Sequence, residues 1–250
     1  ACSVAIRIAR AASGKDKVAF CGYHGWHDWY LSANLGDDTS LDGHLLPGLE
    51  PIGVPRSLKD TSLTFNYNDL NSLLQLVKEH EIGVIIMEVS RATEPKSGFL
   101  KSVRNLATEN NIVLIFDECT SGFRDTFGGL HKKYDIYPDL AIFGKALGNG
   151  YAITAVLGKK EIMKAAQETF ISSTFWTERI GPVAALATIK KHRRLEVSGH
   201  LIDVGRRVQE GWRRAGERWG LNVDISGIPP MSLLRFSYDN GLAIETLFTK

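Results

Sequence analysis

Cysteine is scarce. Cys2, Cys21 and Cys119 are the only three in 250 residues, an odd number without metal-ligand spacing, which argues against a disulfide framework and against a zinc site. Such usage fits a reducing compartment, the cytoplasm. No apolar run approaches the roughly 20 residues that a bilayer-crossing helix needs, and no charged segment followed by an apolar stretch marks a leader. A soluble protein without a membrane partner is therefore expected. A surplus of charge is also missing: the formal net charge is +2, which gives no reason to expect a nucleic-acid partner. The one basic cluster, Lys190-Lys191-His192-Arg193-Arg194, reads as the solvated end of a helix. Internal repeats and low-complexity tracts are absent as well.

What is present is ample core. Hydrophobic residues make up 44% of the chain and the mean hydropathy is -0.10, as in ordinary globular proteins. The length allows one large α/β unit, alone or with a small appendage. Short apolar runs alternate with helical patterns: Lys17–Cys21, Leu63–Tyr67, Ile82–Met87, Ile112–Phe116, Leu140–Phe143 and Ala155–Gly158 read as strands. Amphipathic stretches over Ala1–Ala12, up to Glu79 behind the Asn68-Asp69 cap, and over Val103–Asn110 read as helices, as does Glu161–Glu168. In the first of these, Val4, Ile8 and Ala11 share a face. This order implies crossover units, a mostly parallel sheet with helices on both faces, in three layers.

The chemistry concentrates where apolar runs stop at charged residues. Ile112–Phe116 ends in Asp117-Glu118, and Leu140–Phe143 ends in Gly144-Lys145 followed by Ala146-Leu147-Gly148-Asn149-Gly150. Open α/β sheets bind ligands at the carboxyl ends of their strands. Alone, Asp117 is as readily a cap or loop residue, and Lys145 a solvated surface lysine. Together they are the pair a pyridoxal phosphate enzyme uses, an amine that can take up a carbonyl and an acid that can hold a protonated ring nitrogen. A nucleotide-binding P-loop is a poor alternative, because Asp139 and Ala146 stand where that motif needs a glycine and a hydroxyl residue.

Ile115-Phe116-Asp117-Glu118-Cys119-Thr120-Ser121-Gly122-Phe123-Arg124, with Pro138-Asp139 and Gly144–Gly150, resembles the signature of the class III pyridoxal-phosphate-dependent aminotransferases, most closely the glutamate-1-semialdehyde aminomutase group. The likeness runs from the first residue to about Lys191. It implies the large domain of that fold over residues 1–190, then a linking helix and an incomplete small α+β domain over 191–250. It also implies pyridoxal 5'-phosphate as cofactor, with Lys145 as its Schiff-base lysine and Asp117 as the partner of its ring nitrogen. Tyr23, in Gly22-Tyr23-His24-Gly25, takes the place of the aromatic that stacks on the ring, with His24 a neighbour on the substrate side. Cys119 would pack on the opposite ring face, by apolar contact and not redox chemistry. Thr174, in Ser172-Ser173-Thr174-Phe175-Trp176, would reach the cofactor phosphate of a second subunit in a homodimer. Glu88 matches a family glutamate, although Val89 replaces the proline that follows it there, and a capping role for Glu88 is an equal alternative.

The same likeness implies a small-molecule amino donor and an oxo acceptor. It leaves open whether nitrogen moves between molecules or within one, and a non-catalytic module with an incomplete site is a further alternative. The phosphate-binding turn that precedes the first helix in the family is not in this sequence, nor is most of the small domain, so the chain reads as a piece of a longer polypeptide. Leu31–Leu58, rich in glycine, aspartate and proline, reads as a long surface excursion. Gly181–Gly216 reads as helical, and Leu233–Ser237 as a late strand.

Overall fold

The computed structural model describes every residue except Leu46, Arg91 and Lys250; the parts of the 31–58 excursion and of the carboxyl-terminal stretch that fall on Leu46 and Lys250 lie outside the described residues. Among the described residues, a sheet of six strands runs β1 (Lys17–Cys21), β2 (Ser62–Thr64), β3 (Ile82–Met87), β4 (Val113–Asp117), β5 (Leu140–Phe143) and β6 (Ala155–Gly158). Their order across the sheet is β2-β1-β3-β4-β5-β6. The first five are mutually parallel, and β6 pairs antiparallel with β5.

Strands β3, β4 and β5 are buried along their whole length, which is why they read as unbroken apolar runs without alternation. Successive residues nonetheless serve opposite faces. On one face Ile85, Met87, Leu114 and Phe116 pack with Leu73 of α3 (Leu70–Glu79) and with Phe99, Leu100, Val103 and Ala107 of α4 (Phe99–Glu109). On the other, Val84, Ile86, Val113, Ile115, Leu140 and Ile142 meet Ala5, Ile6, Ile8 and Ala9 of α1 (Cys2–Ser13), and Trp29 and Tyr30 of α2 (Asp28–Leu31). Three layers follow from that division. The buried stripe of α1 is thus Ala5-Ile6-Ile8-Ala9, whereas Ala11 faces solvent; the small alanines let the helix lie close to the sheet.

Local signals set the boundaries. Gly14 ends α1 in the left-handed conformation and its N–H donates to the Arg10 carbonyl. The Asp69 carboxylate caps α3, accepting from the N–H groups of Asn71 and Ser72. Strand β2 stops at Thr64, short of Tyr67, whose hydroxyl instead donates to the Val89 carbonyl. The 161–168 helix is two short pieces, α5 (Lys160–Met163) and α6 (Ala165–Glu168). Helix α7 (Ile180–Leu195) and helix α8 (Val197–Trp219) are separated by Glu196, which adopts a left-handed backbone at φ 48°. In the basic end of α7, His192 turns inward and its Nε2 sits 3.0 Å from the Phe123 carbonyl. The 31–58 excursion is anchored, not loose: Leu41 is fully buried, and Asn34 accepts from the Leu41 N–H while donating to the Leu49 carbonyl.

Strands β7 (Val223–Ser226) and β8 (Leu233–Phe236) form a separate antiparallel pair, followed by α9 (Gly241–Phe248). Ile228, between them, is buried in the core on the α3/α4 face.

Candidate active site

The carboxyl ends of β1, β3, β4 and β5 lie side by side, so the residues just beyond them converge. Asp117 ends β4 in register with Ile142 of β5, three residues before Lys145. Its carboxylate is almost entirely buried and accepts from several donors. Oδ2 lies 2.8 Å from His24 Nδ1 and 3.4 Å from Cys2 Sγ, and Oδ1 accepts from the Cys119 N–H at 3.0 Å. Burial alone would raise this carboxyl, but the hydrogen bond and charge of His24, with the donors of Cys119, outweigh it and lower it to about 2. Asp117 is therefore a fixed anion at the end of the strand.

His24 occupies this place because Gly22 and Gly25 turn the chain out of β1 with left-handed backbones, φ 97° and 105°. A side chain at Gly22 would also bring Cβ within 3.0 Å of Glu88 Oε2. The expected orientation of His24 toward a substrate is not what the structure shows. Nδ1 meets Asp117, and Nε2 lies 2.9 Å from the Cys21 carbonyl; with both nitrogens engaged inside the protein, the ring serves the carboxylate.

Lys145 follows Gly144 in a left-handed backbone at φ 44°, a conformation that costs a lysine on the order of 1 kcal/mol and is held only where the surroundings enforce it. Its side chain is exposed at the site, and Nζ donates to Thr120 Oγ1 at 2.7 Å. A Cβ on Gly144 would stand 3.3 Å from Thr154 Cγ2 and 3.4 Å from Cys119 Sγ, so a larger residue before the lysine would press on that floor. Tyr23 is half-buried and braced edge-on by Tyr30 at 5.9 Å between ring centres. Glu88 is buried beyond β3, beside Gly22.

Thr174 lies in an exposed turn after Ser173, and among the described residues no hydrogen bond ties its hydroxyl to Asp117, His24 or Lys145. Sequence reading missed Thr120 and Cys2, which touch Lys145 and Asp117, and it missed what Glu118 does. Glu118 has no solvent exposure and accepts from the His131 N–H, from His131 Nδ1 and from the Ser121 hydroxyl. It thereby ties down the β4–β5 crossover, which contains no α-helix. Thr120 and Glu118 sat in the quoted motif, but only the fold shows which neighbour each would meet.

Among the described residues, two cavities open along these strands. One, of about 220 Å³, is lined by Cys21, Gly22, Asp42, His44, Tyr67 and Glu88. The other, about 640 Å³, lies under the 118–139 crossover against β6, with Phe123, Ala141, Phe143 and Leu157 in its wall. The site chemistry belongs to neither alone; it lies at the strand ends.

The chain belongs to the class-III aminotransferases: the sequence model of the family described as "Aminotransferase class-III" matches residues 1–227. The chain is similar to 3-aminobutyryl-CoA aminotransferase of Cloacimonas acidaminovorans, 37% identical over 100% of this chain and 58% of that protein. It is also similar to glutamate-1-semialdehyde 2,1-aminomutase of Geotalea daltonii, 34% identical over 94% of this chain and 56% of that protein. Among solved structures, the FumI protein of Sphingopyxis sp. MTA144, in its PLP internal aldimine form, superposes with a TM-score of 0.83 at 25% identity, over 95% of this chain and 56% of that one. The chain thus spans little more than half the length of the proteins it matches.

Proposed function

We propose that the full-length protein is a pyridoxal-phosphate-dependent aminotransferase that moves an amino group from a small-molecule donor to an oxo acceptor. The observation that carries this reading is the pairing of Lys145, held by Thr120, with a buried anionic Asp117 at adjacent strand ends in a class-III aminotransferase. The donor set fits the cofactor: a solvent-reachable amine for its carbonyl, and a carboxylate kept charged, with His24 behind it, for its ring nitrogen.

Pyridoxal 5'-phosphate, when bound, supplies the electron sink that eases loss of a proton from the amine-bearing carbon of the substrate. The residues of this chain do the rest. Lys145 Nζ holds the cofactor and afterwards carries the proton, a task suited to lysine and closed to the always-charged arginine. Asp117 keeps a proton on the ring nitrogen. His24 keeps Asp117 charged and fixed. Tyr23 and Cys119 would cover the two ring faces, and Glu88 lies at the margin of the site.

Thr174 is assigned to the cofactor phosphate of a partner subunit, so the working protein is a homodimer. Residues 1–190 form the cofactor-binding domain, and 191–250 a linking helix and the beginning of a small domain. Among the described residues no helix is long and apolar enough to cross a membrane, and the cysteine usage favours the cytoplasm. An aminomutase reaction is the rival reading, supported by the relative of that name.

The test is borohydride reduction of the PLP-loaded full-length protein, followed by peptide mapping, together with assays using 2-oxoglutarate or pyruvate as acceptor. A pyridoxyl group on Lys145 and consumption of the acceptor are expected. Label on another lysine, or none, would overturn the site. Label on Lys145 with turnover that ignores every added oxo acid would replace the aminotransferase by the aminomutase.

A further inference from the structure

We propose that Cys2 and Cys119 are a modification site: on exposure to a hydroperoxide they join in an intramolecular disulfide against Asp117. Far apart in sequence, the two residues meet because α1 begins over the end of β4. Their sulfur atoms and an Asp117 carboxylate oxygen all lie within 4.8 Å of one another. Both thiols are free and half-buried. Neither residue belongs to the sheet ladder, since Cys2 sits in the first turn of α1 and Cys119 in the turn after β4. Closing that gap to the bond length of about 2.05 Å therefore requires no strand pair to break. The third thiol, Cys21, is buried at the end of β1 and raised to about 12 by burial and by Glu88, so it serves as an internal control.

The chemistry balances without help from the protein's own reaction. The Cys119 thiolate attacks the distal oxygen of the hydroperoxide; the O–O bond breaks, the alkoxide leaves as an alcohol on taking a proton, and the sulfur becomes a sulfenic acid. Cys2 sulfur then attacks Cys119 sulfur; the S–O bond breaks, and hydroxide leaves as water with the Cys2 proton. Two thiols and one hydroperoxide give one disulfide, one alcohol and one water. Cys119 reacts first because the Cys2 thiol is raised, by its contact with Cys119, by burial and by the charge of Asp117.

The disulfide removes the Cys2 S–H from Asp117 Oδ2. Bond formation needs nothing from the proposed cofactor chemistry; only its effect on turnover rests on that reading. The experiment treats full-length holoenzyme with hydrogen peroxide, blocks remaining thiols with N-ethylmaleimide and maps peptides without reduction. The expected result is a Cys2–Cys119 cross-link with Cys21 alkylated, and a fall in turnover of roughly tenfold, the worth of one hydrogen bond to a charged group, reversed by dithiothreitol. In Cys2→Ser the cross-link should vanish and dimedone should trap the Cys119 sulfenic acid. Cys2 still alkylatable after peroxide, or a cross-link through Cys21, would overturn the proposal. A cross-link with undiminished turnover would remove its link to Asp117, whereas a cross-link in a protein without any transaminase turnover would indict the functional reading and leave the modification site standing.

Discussion

His24 Nδ1 and Asp117 Oδ2, 93 residues apart in sequence, meet at 2.8 Å with the histidine side chain fully enclosed and the aspartate nearly so. Both ring nitrogens are engaged, Nδ1 by the carboxylate and Nε2, 2.9 Å away, by the Cys21 carbonyl, so the imidazole is locked behind the acid. An isolated carboxylate there would be expensive, so the histidine behind it keeps the acid charged.

The first prediction concerns acid stability. Asp117 in the folded protein titrates at about 2, against 3.8 for the free side chain. Because the folded value is depressed, its contribution is fully present above about pH 4 and is lost as pH falls toward 2. A shift of that size is worth roughly 2 kcal/mol. Urea unfolding of the full-length protein between pH 6 and pH 2, ranges chosen to bracket this window, should show a steeper acid loss in the wild type than in Asp117→Asn. Parallel curves would refute the assigned titration.

A second prediction separates the pair. His24→Ala leaves the Asp117 carboxylate buried with, among the described residues, the Cys2 and Cys119 donors, and breaking a buried pair costs about 3–5 kcal/mol. The variant should lose stability in that range at neutral pH, and the double change His24→Ala/Asp117→Asn should recover part of it, as coupled neighbours do. Strict additivity in the unfolding free energies would mean that the two residues do not stabilise one another.

The third concerns Lys145. Its side chain is exposed and tied only through Thr120 among the hydrogen bonds of the described residues, so Lys145→Ala should change unfolding free energy by less than about 1 kcal/mol. Catalysis should respond quite differently, with turnover falling on the order of 10²–10⁴-fold, the usual worth of a positioned proton carrier. Thr120→Val should weaken turnover far less, since it frees the amine without removing it. A Lys145→Ala protein that unfolds several kcal/mol more easily would recast the lysine as a structural residue.

Much of this was legible before any coordinates, and for identifiable reasons. The strands ending at Asp117 and Lys145 are buried on both faces, so their apolar runs are unbroken and their ends abrupt. Asp117, Lys145 and Tyr23 stand where those runs stop. The missing parts were those that depend on tertiary approach. Nothing in the spacing of Cys2 and Cys119 says that α1 starts over β4, and nothing in Tyr23-His24 says which side of the strand end the imidazole takes. Leu41 looked like a surface residue because its neighbours are glycine and aspartate, yet the excursion folds back and buries it. The Glu161–Glu168 stretch looked like one continuous helix because its residues favour helix, but the chain breaks it at Lys164.

The last prediction turns on Asp139, where three elements are joined at one carboxylate. It accepts from the Leu114 N–H at 2.8 Å and from Arg104 Nη1 at 2.9 Å through one oxygen, and from Lys159 Nζ at 2.8 Å through the other. The start of β5 is thereby fixed to β4, to α4 and to the residue after β6, and β5 in turn carries Lys145. Burial would raise this acid, but Lys159, Leu114 and Arg104 together hold it below the ordinary carboxylate range. The partners are not equal. Lys159 is about half-exposed, with 48% of its side chain open to solvent, against 17% for Arg104, so screening leaves the Lys159 contact worth no more than about 1 kcal/mol. Asp139→Ala strands a buried N–H and the largely enclosed Arg104, and should cost about 3–5 kcal/mol. Lys159→Ala should cost less than about 1 kcal/mol. Because the folded acid is depressed, the Asp139 contribution is present above the normal carboxylate range and lost on acidification, so the gap between wild type and Asp139→Ala should narrow as pH falls. Denaturant unfolding of the full-length variants at neutral and acid pH measures both effects, and equal costs for Asp139→Ala and Lys159→Ala would show that the exposed lysine, and not the backbone and Arg104, holds β5 in place.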